Sequence, residues 1–493
     1  MSFPGLLIGV DIGTASSKGV LVTPDGDVVA MAVREHGLST PRAGWAEHDA
    51  ESVWWADFTA ICRELSAAAP VRIGGVGVSG IGPCLLPCDS GGTPLRPAIL
   101  YGIDTRATAQ IHEIDARYGP DEILQRCGSR LTSQAVGPKV AWLRQSEPEV
   151  YARTSRIFMA SSWLVHRLTG EYVLDHHSAS QCTPLYDPVA HGWIRQWCDD
   201  VARGIELPRL LWPGEIAGVV TAGSAAVTGI PAGTPVIAGT IDAWTEAVSV
   251  GVTAPGDLML MYGSTMFIVQ VLARRQVSPA LWSTVGVEPG SYDFAAGMAT
   301  SGSITDWLRR LTGAGFDALT AAARDAGRGA DGLLMLPYFA GERTPLFDPD
   351  ARGLIAGLTL RHEPGHLYRA ALEGTAFGVR HNLEAMRDAG APPARMVAVG
   401  GGTSGGLWTQ IVSDVLQQPQ QICERTVGAA YGDARLVAAA VGVAGTEGWN
   451  PVVTRIEPDP GAAGVYDALY ADYRALYEST ADIAHRLAAR QRG

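Results

Sequence analysis

The stretch "PVIAGTIDAWTEA", residues 235–247, sets one carboxylate, Asp242, among small and apolar residues. Pro235 to Ala238 reads as a short buried strand, Gly239 and Thr240 as a tight turn, and Ala243 onward as a helix. An acid at that junction has two readings. As a helix N-cap it accepts hydrogen bonds from N–H groups that the first turn leaves unpaired. As a general base it takes the proton of a hydroxyl held beside it. Two other groups have the composition of an anion grip. Asp11-Ile12-Gly13-Thr14, with Ser16, Ser17 and Lys18 behind it, offers backbone N–H groups at Gly13, a hydroxyl, a cation and a carboxylate suited to hydrated Mg²⁺. Gly263-Ser264-Thr265 repeats that turn chemistry in the second half. A plain hairpin turn uses the same residue types, and no G-x-x-x-x-G-K-[ST] loop occurs.

These residues need strands and turns beneath them. "LLIGVDIG", "GVLVT" and "VVAMAV" read as three strands joined by a polar turn and a "PDGD" turn. "VRIGGVGVSG" at 71–80 is a further strand, preceded by the helical stretch "ESVWWADFTAICREL", and spacing from about 105 to 170 is mostly helical. The pattern then restarts: "DLMLMYGSTMFIVQVL" at 257–272 is again strand, turn, strand. Two halves that each open on a hairpin imply an internally duplicated α/β fold. Near the end, Tyr466, Tyr470, Tyr473 and Tyr477 fall at helical spacing and read as a packing face.

Two stretches match G-x-G-x-x-G. At Gly75, Gly77 and Gly80 no helix follows, which removes the dinucleotide reading. Gly400, Gly402 and Gly405 lie between a strand and a helix, with Glu424 near the acidic-residue distance. That loop supports a rival, a nicotinamide-dependent oxidoreductase, although fewer than 100 residues remain to complete such a domain. It serves equally as a backbone seat for another nucleotide.

With 493 residues the chain exceeds one ordinary core, and 47% hydrophobic with 18% charged residues is a globular balance. The net charge of −12, without a basic run, excludes a nucleic-acid footprint. The seven cysteines, an odd number at scattered spacing, form no disulfide framework, and Cys84 and Cys88 lack a second pair for zinc. The opening "MSFPGLLIGVDIGT" has no positive n-region, and no segment reaches the roughly 20 apolar residues that span a bilayer. A cytoplasmic protein is expected.

The set of motifs resembles the FGGY family of carbohydrate kinases, within the actin-like ATPase superfamily. The resemblance runs from "GVDIGTASSKGVLV" through "GWAEHD", "AILYGIDTRA" with Asp104 and Arg106, "GTIDAWTEA" and "PYFAGERTPLFDPDARG" to the Tyr-rich helix. Its most specific stretch is 353–374, with Gly353, Gly357, His366, Ala370 and Glu373 at the family's positions. The resemblance implies two actin-like, ribonuclease H-like ATPase domains that close on an interdomain cleft. Residues 1–246 would form the sugar-binding, catalytic domain and 247–493 the nucleotide-binding one. It implies transfer of the γ-phosphoryl of ATP to a sugar hydroxyl, with Asp242 as general base and Asp11 and Asp242 on Mg²⁺. Gly13, Thr14, Lys18, Gly263, Ser264, Thr265, Gly302, Gly401 and Gly402 would hold phosphates and nucleotide.

The family's pentulose-kinase branch carries a Met-His pair after a "GISGQ"-like strand. Here the matching stretch is "GVSGIGPCLLP", with Gly82 and Pro83 in its place. A ketopentose such as xylulose is the first expected substrate, and a polyol of the erythritol or ribitol type the second. Gly82, Pro83 and Trp45 are expected to face that substrate, although Trp45 has an equal reading as a packing residue. Arg343 in "GERTP" reads as a loop anchor. The expected partners are a small sugar or polyol, no nucleic acid and no membrane, with a homodimer as an assembly to test. A non-catalytic nucleotide sensor is the third class, against which the acid at 242 argues.

Overall fold

The structure, a computed structural model, describes residues 5–68 and 72–492, so residues 1–4 of the opening stretch and Val71 of the second strand region lie outside it. It comprises two compact units. The first is Met1–Thr253 with Ala273–Asp293 and Val427–Asn450; the second is Ala254–Leu272, Phe294–Thr426 and Pro451–Gly493. The chain returns twice to the first unit, through Ala273–Asp293 and Val427–Asn450, whereas the halves 1–246 and 247–493 read from the sequence are contiguous. The Ala429–Ala440 helix packs on the sheet that begins at Leu6, a contact that no local signal in the chain announces.

The sheet of the first unit runs Ile216–Val219, Pro235–Ile237, Ile73–Gly80, Leu6–Ile12, Ser16–Val22, Val28–Glu35. Leu6–Ile12 forms an antiparallel hairpin with Ser16–Val22 and a parallel pair with Ile73–Gly80. Ile73–Gly80 is buried along its whole length, as a strand covered on both faces must be, which explains its unbroken Val/Gly composition. One face packs on Trp54 of Ala50–Trp55, on Phe58 and Ile61 of the Ala56–Ala68 helix and on Trp163 of the Ala160–Thr169 helix. The other is covered by the Ala429–Ala440 helix through Ala430, Ala434 and Val437. The helices between residues 108 and 146 gather around Ile114, Ile123 and Trp197.

The second unit repeats this order. Its sheet contains Tyr292–Met298, Met266–Leu272, Asp257–Tyr262, Arg395–Val399 and Gln420–Cys423 as successive neighbours. Asp257–Tyr262 again makes an antiparallel hairpin on one side and a parallel pair on the other. The duplication read from the two hairpins is therefore present in the pairing. Tyr466 and Tyr473 of the Ala463–Arg492 helix are fully buried and Tyr470 nearly so, so the tyrosine stripe is a packing face. Residues of the 353–374 stretch do structural work here. His366 Nδ1 accepts from Glu363 N at 3.1 Å at the start of the Pro364–Asp388 helix, and Glu373 pairs with Arg369 at 2.7 Å.

Candidate active site

Asp242 opens the Asp242–Ser249 helix, but Ile241, not Asp242, is its N-cap. The reason lies in the sheet: Thr240 and Ile241 pair with Ser79 and Gly80, so extended backbone continues to Ile241. Thr240 is accordingly in a strand, and the turn falls at Gly239, whose φ is +67°. A Cβ at Gly239 would stand 1.9 Å from Val78 O, so only glycine fits. Asp242 Oδ1 accepts from the Ala243 N–H at 2.7 Å.

Asp11, near the end of the first strand, pairs in register with both Lys18 and Ser79. Its Oδ1 accepts from Ser79 Oγ at 3.0 Å. Gly13 closes the turn by donating to Ser16 O, and His36 Nε2 meets Gly13 O at 3.1 Å while its Nδ1 meets Asp57 Oδ2 at 2.8 Å. The loop is thus braced from below. Lys18 Nζ donates to Val427 O at 3.0 Å, and Thr14 Oγ1 lies 3.3 Å from Tyr101 OH.

Three polar residues that the sequence reading passed over join this group. Glu246 stands one helical turn after Asp242, so its i+4 spacing was a usable signal. Ser79 and Asp433 are both fully buried and within hydrogen-bond distance of each other. They sit in a Val/Gly strand and an Ala-rich helix, and nothing local marks them.

Burial dominates the electrostatics of this group, and the neighbouring carboxyls add to it. Burial pushes Asp11 up to about 6, against the Ser79 hydrogen bond and the Lys18 charge. Asp242 is raised well above the usual carboxylate range, by burial first and then by the charge of Asp11. Burial, again with Asp11, moves Glu246 to about 7. Protein surrounds Asp242 densely, yet part of its surface remains open. Among the described residues no group of three or more His, Cys, Asp or Glu side chains is arranged to hold a metal ion. Two hard oxygen donors, Asp11 and Asp242, do fit Mg²⁺, which takes one or two carboxylates and fills its shell with water and substrate phosphates.

The sugar-side candidates lie in the same unit. A Cβ at Gly82 would meet Ile241 Cγ1 at 2.6 Å, so the Gly82-Pro83 segment packs directly against the residue before Asp242. Trp45 is half-buried, with the Arg106 guanidinium 3.8 Å from its ring centre and Arg42 at 4.8 Å. Arg106 is locked by Asp104 at 2.7 Å and Glu47 at 2.8 Å, which clips "GWAEHD" to "AILYGIDTRA".

In the second unit, a cavity of about 460 Å³ is lined by Gly263, Ser264, Gly302, Gly401, Gly402 and Phe316, among others. That volume is in the range of small-molecule sites, about 300–1,000 Å³. Thr265 is not among its lining residues; its carbonyl accepts from Gly263 N at 3.1 Å. Gly302 N donates to Gly263 O at 3.0 Å, so the start of the Gly302–Thr312 helix is tied to the turn. Gly400, with φ +92°, brings the loop against Tyr262, where a Cβ would lie 2.7 Å from the carbonyl oxygen. Gly401 has open space in front of it.

Residues 6–249 match the N-terminal domain, and residues 258–441 the C-terminal domain, of the FGGY family of carbohydrate kinases. The chain belongs to this family. The xylulose kinase of Escherichia coli K12 is 30% identical over 497 residues, 96% of this chain and 99% of the relative. The glycerol kinase of Nocardia farcinica is 30% identical over 454 residues, 86% and 88% of the two chains. Among solved structures, the xylulose kinase of Rhodospirillum rubrum matches with a TM-score of 0.91 at 34% identity, covering 98% of this chain and 100% of the other. As an FGGY kinase with the actin-like, ribonuclease H-like fold, this chain is a transferase that phosphorylates a sugar with ATP. The relatives give the nicotinamide reading and the erythritol- or ribitol-type polyol reading no support, and Gly401, Gly402 and Gly405 line the second unit's cavity. Among the described residues no helix is long and apolar enough to cross a membrane.

Proposed function

We propose that the chain transfers the γ-phosphoryl group of ATP to a hydroxyl of a ketopentose, xylulose first. Asp242 takes the hydroxyl proton as the sugar oxygen bonds to the γ-phosphorus, the β–γ bridging bond breaks, and ADP leaves. The observation that carries the reading is the Asp242 carboxyl, packed densely, partly open, and raised by burial beside a second acid. A base of raised pKa takes a proton more readily than an exposed aspartate, and phosphoryl transfer asks chiefly for positioning and charge neutralisation. Asp11 and Asp242 are the residues that would hold Mg²⁺, which when bound neutralises phosphate charge. Gly13, Thr14 and Lys18 would bind phosphate in the first unit, and Gly263, Ser264, Thr265, Gly302, Gly401 and Gly402 would seat the nucleotide in the second. Gly82, Pro83 and Trp45 would shape the sugar surface.

Xylulose is the substrate in the names of several full-length relatives, including those in Escherichia coli and Rhodospirillum rubrum. The loop at Gly82-Pro83 lacks the family's Met-His pair, so one hydroxyl of the sugar must be read by other groups. The same reading takes the enzyme as cytoplasmic, with a homodimer as the assembly to test by size-exclusion chromatography. The deciding experiment is ADP release with Mg-ATP across ketopentoses, polyols, glycerol and gluconate. A clear preference for one ketopentose supports the proposal; preference for glycerol or gluconate overturns the substrate.

A further inference from the structure

Asp433 is an acid in the middle of a helix face otherwise made of Ala430, Ala434 and Val437. Its burial is enforced by glycines. A Cβ on Gly9 would lie 1.9 Å from Ala430 O, one on Gly77 2.6 Å from Asp433 O, and one on Gly75 2.5 Å from Val437 Cγ1. On the helix's other side, a Cβ on Gly432 would lie 1.8 Å from Thr245 O, in the helix that Asp242 begins. The Ala429–Ala440 helix is therefore seated on both the sheet and the Asp242 helix, and the Asp433 carboxyl is delivered to Ser79.

At Ser79 the hydrogen bonds do not add up with ionised acids alone. Ser79 Oγ lies 2.6 Å from Asp433 Oδ2 and 3.0 Å from Asp11 Oδ1. A hydroxyl owns one proton and can donate to only one of the two. The other contact is attractive only if the facing carboxyl donates to Ser79 Oγ. Asp433 is the candidate donor. It is fully buried, its Oδ1 meets no hydrogen-bond partner among the described residues, and the charges that act on it are those of Asp11 and Asp242, whereas Asp11 has Lys18 beside it. Burial raises Asp433 well above the carboxylate range, against hydrogen bonds from the Ser79 side chain and backbone N–H, and the charges of Asp11 and Asp242 add to the rise.

We propose that Asp433 is a positioning residue for phosphoryl transfer: it donates to Ser79 Oγ, which directs the Ser79 proton onto Asp11 Oδ1 and holds the Asp11 carboxyl in one orientation toward the metal and phosphates. The inference rests on the assignment of Asp11 to Mg²⁺ made above. Asp433 touches neither sugar nor phosphate in this account; it acts through Ser79.

The test compares Asp433→Asn, Asp433→Ala and Asp433→Leu with the wild type. Asparagine puts an N–H donor in place of the proton-bearing oxygen, whereas alanine and leucine offer none. The first readout is Mg²⁺ affinity in the presence of ADP, by calorimetry, which needs no sugar. The second is the Mg²⁺ concentration for half-maximal activity against the sugar KM. Asp433→Ala and Asp433→Leu are expected to weaken Mg²⁺ binding about tenfold, about what loss of an outer-shell partner costs a metal site, with sugar KM within about twofold. Asp433→Asn is expected to restore most of the loss. If asparagine is as damaging as alanine, an ionised Asp433 is required and the proposal fails. If alanine and leucine change thermal stability but leave Mg²⁺ affinity alone, Asp433 is purely structural and the proposal also fails. A wild type that binds Mg-ADP but phosphorylates no sugar contradicts the functional reading instead, and leaves the calorimetric comparison to decide this one.

Discussion

Asp242, the proposed base, must be ionised to accept a proton, yet its surroundings favour the neutral form. Asp11, the proposed Mg²⁺ ligand, is likewise raised by burial, to about 6. Acids raised in this way work at pH values above their pKa and fail as pH falls through it. The account therefore predicts that kcat/KM for the sugar falls below about pH 6, by about tenfold per pH unit or more. Raising Mg²⁺ should move this acid limb to lower pH, because the cation competes with protons for the carboxylates; a limb insensitive to Mg²⁺ would remove Asp11 from the metal site. Gly82 gives a second prediction at this scale. Its missing Cβ leaves room for Ile241, and Ile241 precedes Asp242. Gly82→Ala should lower kcat about tenfold or more by displacing Asp242, while costing about 1–3 kcal/mol of stability from overpacking. Steady-state kinetics with a thermal melt separates the two effects.

The elements explain what could be read from the chain and what could not. Hairpins around Gly13 and Gly263 were legible because strand alternation and turn residues are local signals. The strand–helix junction at Asp242 was legible too, but the cap assignment missed by one residue because Thr240 and Ile241 pair with a strand 161 positions earlier, as Thr240 does with Ser79. Ser79 and Asp433 were invisible for the same reason at greater range: they meet only once the Ala429–Ala440 helix lies on the first sheet. In the 337–348 loop the sequence drew attention to Arg343, whereas the buried group is Glu342, whose Oε1 accepts from Ala299 N at 2.8 Å and Arg343 N at 2.7 Å. Burial raises Glu342 from 4.5 to about 8. The folded protein thus favours the protonated acid, and the stability this gives is present below the unfolded pKa and lost as pH rises from about 4.5 through 8. Glu342→Gln keeps the acceptor and cannot ionise. It should raise Tm at pH 8.5 by a few degrees and have a much smaller effect at pH 5; equal shifts at both would contradict the assignment.

For the whole molecule, one topology is used twice with different loops on it. Each unit opens on a hairpin whose first strand also pairs in parallel with a later strand. The first unit's turns carry acids and Lys18; the second unit's carry small residues around a cavity. Glycine loops serve dinucleotide and kinase sites alike, which is why the Gly400 to Gly405 match could not decide the enzyme class alone. The cavity makes its own prediction. Gly401→Leu adds a side chain where nothing stands within 4 Å, so the fold should be kept and its Tm without ligand unchanged. ADP at 100 times Kd should stabilise the wild type by about 2.7 kcal/mol, and this shift should largely vanish in the variant. A full shift in Gly401→Leu would place the nucleotide elsewhere.

The central claim is that Asp242 takes the proton of the sugar hydroxyl. Its most direct test is xylulose-dependent ADP release by Asp242→Asn beside the wild type, with ADP affinity measured on both in the absence of Mg²⁺. The account predicts a fall in kcat of about 10²–10⁴-fold with nucleotide affinity and the melting curve nearly unchanged. Turnover within a few-fold of the wild type would contradict it, because an amide at residue 242 cannot accept that proton.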